Sequence, residues 1–69
     1  MTRIVIAQKI KEYRRAHGLT QEEFGAILGF SAQAISKWER EECYPDITVL
    51  PELAALLHCG VNDFFTSSI

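Results

Sequence analysis

The chain reads as an all-α protein, a compact bundle of five short helices, and three observations predict it. Apolar residues recur at helical spacing in successive short segments. Serine, threonine and glycine stand at the boundaries of those segments, and no stretch alternates at period two for long enough to make a strand. At 69 residues there is one domain, residues 1–69, with an ordered core over about 4–65; a chain of this size buries only about 60 % of its unfolded surface, so the fold must be economical. Apolar residues at 48 % and charged residues at 23 % are a globular composition that folds unaided.

Ile6, Ile10 and Tyr13 recur at i, i+4 and i+7, and Gly18 follows as a stop, which predicts a first helix over residues 4–17. Thr20 opens the second. Its hydroxyl and the Glu23 carboxylate form a capping box, Phe24 and Leu28 make the inward face, and Gly29 supplies the left-handed residue that a sharp reversal needs. Ser31 caps a third helix with Ile35 and Trp38 inward and Gln33, Ser36, Lys37 and Arg40 outward, so the outer face is rich in hydrogen-bond donors. Residues 41–46 form a loop that ends in Tyr-Pro-Asp. Thr48 caps a fourth helix, which puts Pro51 in the first turn where its missing N–H is no loss. A fifth helix is expected from Val61, with Val61, Phe64 and Phe65 as its apolar residues.

A net charge of −2 taken alone argues against a nucleic-acid partner, but the charges are unevenly placed. All seven basic residues (Arg3, Lys9, Lys11, Arg14, Arg15, Lys37, Arg40) lie in the first forty positions against four acids, a net +3; from residue 41 onward there are five acids and no lysine or arginine, a net −5. Such a molecule orients itself as it approaches a polyanion.

Two short helices joined by a glycine turn, the second with a donor-rich outer face, fit the major groove of B-DNA. The segment TQEEFGAILGFSAQAISKWER, residues 20–40, resembles the lambda-repressor-like, Cro-type helix-turn-helix family, and the likeness runs on through YPDI, LPELAALL and VNDFF. The resemblance implies a five-helix lambda-repressor-like DNA-binding domain with the helix-turn-helix in helices 2 and 3. Gly25 stands where the family carries alanine or glycine so that the two helices can approach. Gln21 matches a phosphate-contacting glutamine. Ser31 opens the reading helix; Ala32, Gln33, Ser36 and Lys37 match positions that read base edges, with Arg40 on the same outer face. Arg14 and Glu39 match a structural ion pair that joins helix 1 to the end of helix 3. The family also implies a homodimer on a pseudo-palindromic operator, acting in transcription as a repressor. The C-terminal part is the expected contact between copies, through Val61, Phe65 and Ile69. Two departures stand out: Glu41 and Glu42 replace the glycine and basic residues that relatives often carry after helix 3, and His58 stands where glycine is common.

An enzyme is the first rival. His17, Cys43, His58 and Cys59 have no metal-ligand spacing, and neither a phosphate loop nor a carboxylate pair stands in a chain this short. No catalytic residue, metal or other cofactor is expected. A protein-interaction module is the second rival, either an antitoxin-type protein or the DNA-targeting part of a larger regulator, because fold does not fix function. With no long apolar run, charged residues within the first fifteen positions and two unpaired cysteines, a cytoplasmic protein that touches no membrane is expected.

Overall fold

The computed structural model describes residues 2–67. The chain runs β1 (Thr2–Ile4), α1 (Ile6–His17), α2 (Gln21–Leu28), α3 (Ala32–Glu39), a 3-10 turn at Ile47–Val49, α4 (Leu50–Leu56), a second 3-10 turn at Val61–Phe64, and β2 (Phe65–Ser67). Side chains of all these helical segments meet in one core. Phe24, Phe64, Ile10, Ile35 and Leu53 are sealed from solvent at its centre, and Ile6, Trp38 and Ala54 border it. Burying each large apolar side chain contributes about 1.5–3 kcal/mol, so five sealed ones carry much of the stability a domain this small can have.

The predicted helical character holds, but three segments differ from expectation. The expected fifth helix is one 3-10 turn followed by a strand. Asn62 and Asp63 follow Gly60, whose N–H is held by the Asp63 carboxylate at 2.8 Å; one turn is enough to bury Phe64, and the chain then extends at Phe65 (φ −124°, ψ 134°). That extension lets β2 run antiparallel to β1, with Thr2 opposite Ser67, Arg3 opposite Thr66 and Ile4 opposite Phe65. Ile4, expected in the first helix, therefore lies in a strand, and the Val5 N–H bonds the Phe64 carbonyl at 2.8 Å where strand gives way to helix. The start of α4 differs as well: Thr48 does not cap it, since α4 follows directly from the 3-10 turn with Val49 at its N-cap and no side-chain bond there. Asp46 caps the 3-10 turn, its carboxylate accepting from the Thr48 N–H at 3.0 Å and the Thr48 hydroxyl at 3.1 Å. These bonds, the backbone N–H first, hold the Asp46 pKa below its ordinary value. Pro51 falls in the first turn of α4 as expected.

All four α-helices end in the same hydrogen-bonded figure. Leu19, Phe30, Glu42 and Cys59 each donate a backbone N–H to the carbonyl five residues back (Arg14, Gly25, Lys37 and Ala54) at 2.8–3.0 Å. This is the Schellman motif, which needs a left-handed residue one position earlier. Gly29 (φ 83°) meets the need without strain, whereas Glu41 (φ 59°) and His58 (φ 56°) meet it with side chains.

Candidate nucleic-acid interface

The pair α2 and α3 is assembled from local signals. The Thr20 hydroxyl accepts from the Glu23 N–H at 3.0 Å, and the Glu23 carboxylate accepts from the Thr20 N–H at 2.9 Å. The bond from the Thr20 N–H, and then that with its hydroxyl, holds the Glu23 pKa below the ordinary carboxylate value. The helices then meet at Gly25. A methyl group there would run into the Phe30 carbonyl oxygen and crowd Ile35 Cγ1 at 3.2 Å, so glycine alone fits without a shift of backbone. Phe30, in the turn, packs edge-on against Trp38 of α3 with ring centroids 5.0 Å apart, in the favoured aromatic geometry.

One buried polar group ties the three N-terminal helices together. The Glu39 carboxylate, 5 % exposed, accepts from Arg14 Nε at 2.6 Å and Nη2 at 2.8 Å. Arg14 Nη1 also donates to the Leu19 carbonyl at 3.1 Å, so this one guanidinium fixes α3 and the α1–α2 turn together. Burial opposes a charged Glu39, but the bonds from Arg14 and Gln21 and the positive charges of Arg14 and Lys11 outweigh it, and its pKa lies below the ordinary value. Arg14 is raised in return, first by its hydrogen bond to Glu39. Fork-to-fork geometry of this kind is the strong form of a charge-assisted hydrogen bond.

The residues singled out in the sequence fall on two levels of one surface. Gln33 and Lys37 are exposed on the outer side of α3, with no hydrogen bond or ion pair from their side chains among the described residues. Ala32 is half-buried beside them. Ser31 is exposed, and its hydroxyl oxygen is used within the fold, accepting from the Ala34 N–H at 3.2 Å. Ser36 is half-buried; its hydroxyl accepts from Arg40 Nε at 3.2 Å, and Arg40 Nη1 reaches the Glu42 carboxylate at 2.6 Å. Gln21, at the first turn of α2, is half-buried and donates from Nε2 to Glu39 Oε1 at 3.3 Å. Two engagements were missing from the sequence reading: the inward bond of Gln21, and the Arg40–Glu42 pair, whose only signal was the acid two residues on.

At the far end of the chain, Val61 is half-buried against the core and Phe65 is 39 % exposed; Ile69 lies outside the described residues. Among the described residues no three His, Cys, Asp or Glu side chains are grouped as metal ligands would be, and no helix is long and apolar enough to cross a membrane.

Residues 10–64 match the family model described as helix-turn-helix. Over 55 residues, 80 % of this chain and 71 % of the relative, the sequence is 42 % identical to an uncharacterized HTH-type transcriptional regulator of Sinorhizobium fredii. Over 57 residues, 83 % of this chain and 86 % of the relative, it is 33 % identical to an uncharacterized HTH-type transcriptional regulator of Methanocaldococcus jannaschii. No solved structure matches the chain.

Proposed function

The chain belongs to the helix-turn-helix family, as a lambda-repressor-like regulator, and from that premise we propose that it binds double-stranded DNA sequence-specifically, as a homodimer, and represses transcription by occupying a promoter. The observation that carries the reading is the outer face of α3, where Gln33 and Lys37 stand exposed with their donors uncommitted while the inner face is locked into the core. A side-chain amide can meet adenine N6 and N7 together, and a lysine can reach guanine O6 and N7 or a phosphate. Ala32 offers a methyl group to a thymine methyl. Ser36 and Arg40 lie one and two turns further on, and Ser31 sits at the helix start beside the first base step.

Gln21 complements them. It keeps a second amide N–H to donate to a phosphate at the α2 N-terminus, where unpaired backbone N–H groups favour an anion. A phosphate contact there positions the domain without reading sequence. The homodimer reading rests on Phe65, exposed beside the sealed Phe64, with Val61 at its edge and Ile69 as a third candidate. The protein acts in the cytoplasm by binding, with no catalysis and no cofactor.

Selecting bound duplexes from a random pool tests the reading. It predicts an enriched pseudo-palindrome whose half-site centres lie about 10 base pairs apart, one turn of the duplex. An enriched single half-site would remove the dimer, and no enrichment at all would remove sequence-specific binding.

A further inference from the structure

Arg40 is the last basic residue of the chain, and its guanidinium already holds an anion. Nε donates to the Ser36 hydroxyl at 3.2 Å and to the Ser36 carbonyl at 3.3 Å, while Nη1 meets the Glu42 carboxylate at 2.6 Å. The pair is open to water, with side chains 57 % and 51 % exposed. The backbone between the partners is bent to allow it: Glu41 is left-handed, and the Glu42 N–H closes the end of α3 on the Lys37 carbonyl at 3.0 Å, which fixes where the Glu42 carboxylate can reach.

A carboxylate and a phosphate compete for the same guanidinium, because both present paired oxygens to the same fork of donors. We propose that Glu42 is an intramolecular stand-in for a DNA phosphate: it occupies Arg40 in the free protein, must be displaced when DNA arrives, and so attenuates binding. The inference rests on the DNA-binding reading above and adds to it an exchange of partners at one residue. The displacement has a second consequence. As Arg40 turns toward the backbone it releases the Ser36 hydroxyl, which is then free to accept from a base on the same face of α3.

The test is a double-mutant cycle read by fluorescence anisotropy on a labelled mixed-sequence duplex, with the parent, Glu42→Gln, Arg40→Gln and the double variant titrated at several salt concentrations. An exposed pair of this kind sets the scale, so Glu42→Gln is expected to tighten binding about three- to five-fold. Arg40 meets a phosphate in both complexes, so the dependence of log K on log salt should be nearly the same for the parent and Glu42→Gln, and shallower by about 0.9 in both proteins that carry Arg40→Gln. In the Arg40→Gln background the same change should do nothing. Equal tightening with and without Arg40 would overturn the exchange, leaving only general repulsion between an acid and DNA. Weaker binding by Glu42→Gln would overturn it in the other direction, making the carboxylate a support that aims Arg40. A parent that binds but does not respond to the change sinks this inference alone, whereas a parent that binds no duplex at low salt sinks the DNA reading and this inference with it.

Discussion

Through Glu39 the chain carries a strand of three residues and α-helices of 12, 8 and 8 residues, two of them opened by hydroxyl caps from Thr20 and Ser31. After Arg40 the helical segments shrink to a 3-10 turn of three residues, an α-helix of seven and a 3-10 turn of four. Yet Leu53 and Phe64 in the second part are as thoroughly sealed from solvent as Ile10, Phe24 and Ile35 in the first. The helix ends differ in the same sense. Gly18 and Gly29 close α1 and α2, while Glu41 and His58 force side chains into the left-handed region to close α3 and α4. The first part is organised by local signals that agree with its packing; the second takes its shape from burial against the first and tolerates local strain to achieve it. The candidate interface lies in the first part, where caps, turn glycine and packing agree on how α2 and α3 are placed.

If burial alone organises the second part, emptying it should be as damaging as emptying the first. Phe64→Ala and Phe24→Ala are each expected to cost about 3–5 kcal/mol, most of what a domain of this size possesses. Thermal or urea unfolding checks this, and a Phe64→Ala variant that melts near the parent would reduce the C-terminal turn to an accessory.

Arg14→Met comes next. It leaves the Glu39 carboxylate buried with only Gln21 to satisfy it, at a cost of about 2–3 kcal/mol, less than for a fully sealed pair because the Arg14 side chain is 20 % exposed. The pH dependence sharpens the point. The folded pKa of Glu39 is depressed, so its stabilisation is complete above the ordinary carboxylate value of about 4.3 and is lost as pH falls through the lower folded value. The parent should lose stability across that acidic window, and Arg14→Met, having forfeited the contribution already, should lose less over the same range.

The helix ends supply the smallest effects, and they should have opposite signs. Gly29→Ala places a side chain at φ 83° and is expected to destabilise by about 1–2 kcal/mol. His58→Gly and Glu41→Gly relieve the same strain and should each stabilise by about 0.5–1 kcal/mol, the gain being trimmed by the larger backbone entropy of glycine. Matched thermal melts would show the opposition, and stabilities that move the same way at all three sites would erase the distinction between the two halves.

How much of this was legible in the sequence follows the same division. The three N-terminal helices could be read because capping hydroxyls, turn glycines and helical spacing all agreed at Thr20, Gly29 and Ser31. The strands could not: a three-residue strand is too short to display period two, and Ile4 and Phe65 pair across nearly the whole chain. Val61, Phe64 and Phe65 looked helical by spacing, but a single turn already buries Phe64. Within the candidate interface the exposed face of α3 followed from the positions of Ile35 and Trp38 on the opposite side. The inward bond of Gln21 did not, because its partner Glu39 stands 18 residues away and only folding brings the two together.

The central claim is that α3 reads bases through its outer face, and Gln33 tests it most directly. On a duplex selected for binding, Gln33→Ala should cost about 1–3 kcal/mol in affinity, while on a scrambled duplex it should cost little. Gln21→Ala should weaken both by similar factors, because a phosphate contact carries no sequence information. Anisotropy titrations of the parent and the two variants at several salt concentrations give the comparison. Gln33→Ala losing affinity equally on both duplexes, or on neither, would contradict base reading by α3.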